Sequence, residues 1–284
     1  MKPVEHPYFC PNTLNEALEF RHAFDCVILA GGTDLYPATE NQCLTGPTLD
    51  LGRIDELKTI NIQPDGIHIG AMVTWSDVNA ARETSHLHAL VEAGRQVGSI
   101  QIQNSATIVG NVCNASPAAD GVPPLLMLNA SVVIQSKRGS RQQPIEYFIT
   151  GNRQTTLARD EIVTSIFISN EAVFGQSSFV KLGSRAHLVI SIAMVAVQAA
   201  LHADHFARLT IAVGACNPVA VRLRELEDRL RGNHFSQAKK IIDEHDWSNA
   251  LAPITDVRAD AQYRRVVVPT LVRRALEKTI RERP

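Results

Sequence analysis

Apolar residues recur along the chain with the periods of both helices and strands. Thr13 and Glu16 form a capping box, and the apolar residues that follow have helical spacing, which predicts a helix over residues 13–23. Short apolar runs between turn residues continue a β-rich pattern at 26–30, 48–51, 66–71, 130–135, 145–148 and 161–168. Further helices are predicted from Thr74 or Ser76 to Arg82 and over 86–98 and 125–129. The first half of the chain therefore has an α+β pattern.

The second half repeats this mixture after a boundary near residues 170–176. Strands are predicted at 178–181 and 209–215, and residues 189–201 fit a strand or a buried helix. Helices are predicted at 221–231, 235–244 and 270–281, and Pro269 is expected at the start of the last, where its missing N–H costs nothing. At about 150 residues per domain, 284 residues predict two domains. We divide the chain into residues 1–174 and 175–284.

One segment, residues 99–124, shows no helical or strand period over its whole length. It is small, polar and uncharged apart from Asp120. Because backbone polar groups of an ordered segment need partners, we expect a polar ligand to be bound there, with a solvated loop as the alternative. Within it, the second loop (residues 107–111) begins with Thr107 and includes Gly110 and Asn111.

The first loop (residues 30–35) follows the strand at 26–30 directly. It contains Gly31 and Gly32, which can adopt positive φ and allow a close approach of the backbone to a ligand. Successive free N–H groups in such a turn form an anion site suited to phosphate, although a simple strand-to-loop turn is the alternative. The chain contains neither GxGxxG nor GxxxxGK[ST], so Rossmann and P-loop sites are excluded.

Composition narrows the class of protein. With 45% hydrophobic and 20% charged residues, the chain is neither collagen-like nor disordered. Its longest nearly apolar stretch, residues 189–201, is well short of the about 20 residues of a bilayer crossing. No basic segment followed by an apolar run precedes the first helix, which favours a cytoplasmic protein.

Charge distribution and cysteine content argue against a nucleic-acid site and against an iron–sulfur cluster in this chain. Residues 1–120 contain 6 Lys/Arg and 14 Asp/Glu, whereas residues 121–284 contain 22 and 15. The basic residues are interleaved with acidic and apolar ones, which favours a solvent-facing or partner-facing surface over a nucleic-acid site. The 5 cysteines form no CxxC pair, which indicates a reducing compartment and no iron–sulfur cluster in this chain. We also predict no metal site, because His86 and His88 lack a further ligand, and because His202 and His205, although next to Asp204, are expected in an exposed turn.

The order of the motifs resembles the FAD-binding subunit of the molybdenum hydroxylases, the family of xanthine and carbon monoxide dehydrogenases. In that family the first loop is Ala-Gly-Gly-Thr/Gln/His-Asp/Ser-Leu. The second is Thr-Ile-Gly-Gly-Asn-Ile, followed by Asn-Ala-Ser-Pro-Ala-Ala-Asp and a Pro-Pro-Leu-Leu helix. The corresponding residues here are 30–35, 107–112, 114–120 and 123–126. Further matches at 101–104, 160–163, 181–185 and 255–259 extend the resemblance over essentially the whole chain.

This resemblance implies a fold and a cofactor site. The fold would be a two-part FAD-binding domain of the molybdopterin-dehydrogenase and vanillyl-alcohol-oxidase type, followed by a smaller α+β domain. The two loops would hold the FAD diphosphate. The rings would pack near Val97, Ile162 and Val163. Asp120 would hydrogen-bond the cofactor, and Lys181 would stabilise reduced flavin. The full implied set is Ile28, Leu29, Ala30, Gly31, Gly32, Thr33, Asp34, Leu35, Val97, Thr107, Ile108, Val109, Gly110, Asn111, Asn114, Asp120, Ile162, Val163 and Lys181.

The resemblance also implies partners. A molybdopterin-binding large subunit and a 2Fe-2S small subunit would supply electrons to FAD, which would pass them to NAD or another acceptor. No catalytic side chain is implied, in agreement with the lack of an acid–base pair in the sequence. Two alternatives remain open, a stand-alone flavin oxidoreductase and a flavin-free scaffold subunit.

Three positions depart from the family pattern. Val109 replaces a glycine, and since a β-branched residue avoids positive φ, this position is either extended or meets the diphosphate differently. Gln103 stands where an arginine is common, and Ser191 where an aspartate is frequent. Val109 therefore puts FAD affinity in question.

Overall fold

Helices and strands alternate through the computed structural model, which describes residues 7–39, 41, 43–84 and 86–281. The strands are β1 (Tyr8–Phe9), β2 (Val27–Leu29), β3 (Thr48–Asp50), β4 (Ile60–Gln63), β5 (Gly66–Gly70), β6 (Ser131–Ser136), β7 (Gly139–Pro144), β8 (Ile149–Gly151), β9 (Gln154–Thr155), β10 (Ile162–Ser169), β11 (Gln176–Leu182), β12 (Ala193–His202), β13 (His205–Gly214) and β14 (Val221–Arg222). The helices are α1 (Leu14–Ala23), α2 (Trp75–Ala80), α3 (His88–Gly94), α4 (Ile100–Gln103), α5 (Ile108–Cys113), α6 (Val122–Met127), α7 (Ile145–Phe148), α8 (Arg224–Leu230), α9 (Ala238–Asp243), α10 (Trp247–Ala250) and α11 (Ala261–Arg281).

The first domain contains two main sheets. A parallel three-stranded sheet has the order β1-β3-β2, and an antiparallel five-stranded sheet has the order β4-β5-β10-β6-β7. The predicted capping box of α1 is confirmed, because Glu16 N–H donates to Thr13 Oγ1 and the Glu16 carboxylate accepts from Thr13 N–H. Such a cap stabilises a helix by about 1 kcal/mol. The helix thereby fixes where β2 enters the small sheet.

The second domain is built on one antiparallel sheet. Its order is β11-β12-β13-β14, and α11 packs across β11 and β12. This sheet and the helices α8, α9 and α11 enclose a hydrophobic core of their own. The first domain packs against the same sheet through α3 and α6. The α+β architecture predicted for both halves is therefore confirmed, and the boundary between residues 174 and 175, which falls between β10 and β11, remains our proposal.

Three segments of the structure differ from the prediction. The segment 99–124 contains α4, α5 and the start of α6, which are too short to show a period; α5 and α6 are stabilised mainly by burial. Residues 145–148 form α7 rather than extended chain. The last helix begins at Ala261, so Pro269 lies in its interior rather than at its start. Asp260, the residue before the helix, accepts from Tyr263 N–H at 2.6 Å and so caps it.

Other differences concern element ends. Residues 189–201 contribute β12, which resolves the choice between strand and helix. The helix predicted at 221–231 is β14 followed by α8, and the helix predicted at 86–98 is shortened to α3. No helix among the described residues is both long and apolar enough to cross a membrane.

Candidate functional site

The first loop turns sharply after β2 and packs directly on the chain that leads into α5. Gly32 has φ +68°, which glycine adopts without strain. A Cβ on Gly31 would lie 1.9 Å from the carbonyl oxygen of Ser105, so only glycine fits at this contact. The sequence thus brings the first loop and the approach to the second loop together.

Free backbone donors line the first loop. Within the described residues, the N–H groups of Gly31, Gly32, Thr33 and Asp34 donate to no protein acceptor. Gly31, Gly32 and Thr33 are partly exposed and Asp34 is exposed, so these four N–H groups are open to water or to a ligand in the cavity. Successive N–H groups of this kind suit an anion such as a diphosphate.

The second loop begins α5 rather than forming an extended turn. Thr107 caps the helix, since its Oγ1 accepts from Gly110 N–H at 2.9 Å, and Ile108 N–H donates to Val73 O at 3.2 Å. Val109 lies in the first turn with helical backbone, and its N–H has no acceptor in the described part of the chain. The extended conformation considered for Val109 was therefore wrong, and a β-branched residue is tolerated here because φ is negative.

A cavity of about 630 Å³ lies between the two loops. This volume is within the usual range for small-molecule and cofactor sites. Fifteen of the predicted site residues line it: Ile28, Ala30, Gly31, Gly32, Thr33, Asp34, Leu35, Val97, Thr107, Val109, Gly110, Asn111, Asn114, Ile162 and Val163. Leu29 and Ile108, which the resemblance also implied, are buried in the core instead.

Asp120 and Lys181 are paired with each other and do not line this cavity. The Lys181 ammonium lies 2.6 Å from Asp120 Oδ2 and donates to Gln96 O at 3.2 Å, and Ser191 donates to Asp120 Oδ1. Burial raises the pKa of the Asp120 carboxyl above its ordinary value, while Lys181 and Ser191 act in the opposite direction. Since Lys181 and Ser191 belong to the second domain, this group ties the two domains together behind Val97.

Several lining residues were missed from the sequence. They are Arg21, Ala38, Leu51, Ala71, Trp75, Ile102, Ala106, Cys113, Arg153 and Leu157. Arg21 comes from the end of α1, and Arg153 from the turn between β8 and β9, so neither position had a motif that could identify it. Burial raises the pKa of the Cys113 thiol to about 12, so this side chain remains a neutral wall residue.

The lining residues fit FAD. The lining contains two arginines, Arg21 and Arg153, and one acidic residue, Asp34, so basic residues predominate where a diphosphate would be bound. Two buried donors on the lining residues, Arg21 Nε and Trp75 Nε1, have no acceptor in the described part of the chain. Within the described ranges, no group of three or more His, Cys, Asp or Glu is arranged to hold a metal ion.

Replacing Val109 by glycine tests whether the family glycine matters for affinity. We expect the dissociation constant for FAD to change by less than about threefold, because the Val109 N–H is already available in a helical backbone. The free energy of unfolding should fall by about 2 kcal/mol, because a buried side chain is lost and glycine weakens the helix.

The measurements are a flavin-fluorescence titration and urea unfolding of the same preparation. Val112→Ala is the matched control, since Val112 is buried in the same helix and does not line the cavity. It should lose stability without changing FAD affinity. A tenfold tighter binding of FAD to the glycine variant would contradict our description of this turn.

Comparison with known protein families agrees with the two-domain architecture. Residues 2–170 match the model described as the FAD binding domain in molybdopterin dehydrogenase. Residues 178–279 match the CO dehydrogenase flavoprotein C-terminal domain. Together the two models account for both halves of the chain.

Similar curated proteins include subunits of dehydrogenases. The chain is 38% identical over 200 residues to the nicotinate dehydrogenase FAD-subunit of Eubacterium barkeri, covering 68% of this chain and 67% of that protein. It is 29% identical to the glyceraldehyde dehydrogenase medium chain of Sulfolobus acidocaldarius, covering 98% and 99%. Among solved structures, carbon monoxide dehydrogenase from Hydrogenophaga pseudoflava superposes with a TM-score of 0.87 at 25% identity, covering 98% of both chains.

Proposed function

This chain belongs to the FAD-binding subunits of the molybdenum hydroxylases, and we propose from that premise how it works within a complex. It is a subunit of an FAD-dependent oxidoreductase. Its proposed role is electron transfer, in which electrons from iron–sulfur clusters of a partner subunit leave through FAD to NAD or another acceptor. When bound, FAD supplies this redox chemistry, and the protein supplies binding, orientation and electrostatics.

The observation that carries the proposed placement of FAD is the run of free N–H groups in the first loop. Gly31, Gly32, Thr33 and Asp34 would donate to the diphosphate from one side, and Val109 N–H from the other. Arg153 would add positive charge, since its guanidinium is held near the second loop by Asn114. The first loop already packs at Gly31 against Ser105, which leads into the second loop, so little chain has to be ordered when the cofactor binds.

The end of the cavity at Val97 would receive the isoalloxazine ring. Gln103 Nε2 donates to Arg95 O at 3.2 Å and to Val97 O at 3.0 Å, which holds the turn that carries Val97. Beside it, Ile100 is 59% and Ile102 37% exposed. A ring at this end would therefore lie near the protein surface, as electron exchange with a partner or a diffusing acceptor requires.

The proposed partners are a molybdopterin-binding large subunit and a 2Fe-2S small subunit. The five cysteines are all free thiols, with Cys26 and Cys216 buried, which supports the proposal that clusters are carried by another chain and that the complex is cytoplasmic.

Purification of the chain from its native host tests this assignment. We expect it to co-purify with one larger and one smaller chain, with molybdenum and iron in the complex and flavin bound to this chain. Mass spectrometry, metal analysis and the visible spectrum provide the measurements. A lone chain that oxidises a substrate with its own FAD would contradict the assignment and favour the stand-alone flavin oxidoreductase.

The acceptor is tested on the same complex under anaerobic conditions. Adding NADH should bleach the flavin absorption if NAD is the partner of this site. Retention of the flavin absorption with NADH, together with bleaching by reduced substrate, would assign a different acceptor. The flavin-free scaffold loses its support, because it depended on Val109, whose helical backbone leaves the N–H free.

A further inference from the structure

Arg21 is a cation on the cavity wall with no acidic partner among the described residues. It lies in the last turn of α1, and its Nη1 donates to Cys26 O and lies 3.5 Å from Cys26 Sγ. Its Nε is buried and has no acceptor within the described part of the chain. The neighbouring acid, Asp25, faces Arg159 at 3.4 Å. The guanidinium is thus held in place by a carbonyl group while donors remain available.

The position of Arg21 along β2 separates it from the loop that faces the diphosphate. Cys26 precedes Gly31 by five residues, of which Val27–Leu29 form β2, so the two are separated by at most about 16 Å at the rise of a strand. Ile28, between them, also lines the cavity. Arg21 therefore lies at the far end of the cavity from the first loop, on the side where β2 begins.

This end lies inside the first domain. Arg21 and Ile28 come from α1 and β2 of the first domain, and no residue of the second domain lines the cavity in the described part of the chain. The opposite end, at Val97, adjoins Gln96, whose carbonyl oxygen contacts Lys181 of the second domain. FAD has one ring system on each side of its diphosphate, and the flavin must exchange electrons with other molecules. The end at Arg21, away from the Val97 end at which we place the flavin, therefore suits adenine, which takes no part in the redox chemistry.

We propose that Arg21 binds the adenine ring of FAD and makes affinity depend on the adenosine half of the cofactor. Adenine offers ring-nitrogen acceptors and an aromatic face, and a planar guanidinium can donate to the first and stack on the second. The assignment rests on the proposed placement of FAD between the two loops. It makes Arg21 a determinant of the preference for FAD over FMN, which lacks adenosine.

The test compares two ligands with two variants. Arg21→Met keeps an unbranched apolar stem but removes the charge and all donors. The matched control is Arg274→Met, an exposed arginine on helix α11 in the second domain. The dissociation constants of the apo-chain for FAD and for FMN are measured by calorimetry, so no enzymatic turnover is required.

We expect Arg21→Met to raise the dissociation constant for FAD about tenfold and to leave that for FMN within about twofold of the wild-type value. The control should change neither constant. Equal weakening of both ligands would assign Arg21 to the fold through its bond to Cys26, and unchanged FAD binding would remove it from the site, so either result overturns the inference. A wild-type chain that binds neither ligand would instead contradict the proposed function itself.

Discussion

Replacing Gly31 by alanine should raise the dissociation constant for FAD by about a hundredfold. The added Cβ would lie 1.9 Å from the carbonyl oxygen of Ser105, and both contacting groups belong to the backbone, so no side-chain rotation can relieve the clash. The first loop must move away from the chain entering α5, and the N–H groups that face the cavity move with it. Loss of two or more well-placed hydrogen bonds to a charged group accounts for an effect of this size.

The control for this prediction is Gly139→Ala. Gly139 has φ +132° in the turn between β6 and β7, where an added Cβ would meet nothing within 4 Å. This variant should lose some stability through backbone strain and keep FAD affinity within about twofold. Isothermal titration of both apo-variants provides the comparison. A Gly31→Ala chain that binds FAD as the wild type does would show that the two loops do not jointly hold the cofactor.

Removing Lys181 should lower the free energy of unfolding by about 3–5 kcal/mol. The side chains of Lys181 and Asp120 are 6% and 9% exposed, so Lys181→Met leaves a carboxylate buried without its partner cation. Among the described residues, the hydroxyl of Ser191 is the one remaining hydrogen-bond partner of that carboxylate. The loss should be seen in urea unfolding followed by circular dichroism at neutral pH.

The same variant should recover stability as the pH falls. Burial already raises the pKa of Asp120 above 3.8, and loss of Lys181 raises it further. A carboxyl whose pKa is higher in the folded than in the unfolded state binds its proton more tightly when folded. Its contribution to stability therefore decreases as pH rises from the unfolded toward the folded pKa, and the deficit of the variant shrinks in the acidic direction.

Two further variants separate charge burial from general damage. Asp120→Asn combined with Lys181→Met removes both charges and should restore most of the lost stability. Lys278→Met breaks another contact between the domains, the pair with Glu92, whose side chains are 39% and 21% exposed; it should cost at most about 1 kcal/mol. If Lys181→Met costs no more than Lys278→Met at neutral pH, Asp120 and Lys181 do not form the tie between the domains.

Sequence patterns predicted best those elements whose determinants are local. The capping box at Thr13 defined α1, and the apolar runs at 26–30 and 161–168 fell on β2 and β10. The helices of segment 99–124 were not predicted, because each has only four to six residues. Two of them are nevertheless capped by Ser99 and Thr107, as is usual for helix starts. In α5, burial of Ile108 and Val112 stabilises the helix, and six residues are too few to show a helical period in the sequence.

The residues of the candidate site also fall into those with a local sequence signal and those without one. The two glycine-containing loops were identified by composition and by resemblance, and they do face one cavity. Arg21 and Arg153 were missed because a helix end and a hairpin turn reach the cavity only through tertiary packing. Lys181 was expected at the flavin, and the structure pairs it with Asp120, since a buried ammonium needs an anionic partner close by.

A crystal structure of the chain with FAD bound tests the central claim most directly. The account predicts the diphosphate oxygens within hydrogen-bonding distance of the N–H groups of Gly31 to Asp34 and of Val109, with adenine on the side of Arg21 and the flavin on the side of Val97. A diphosphate bound outside the cavity between the two loops would contradict it.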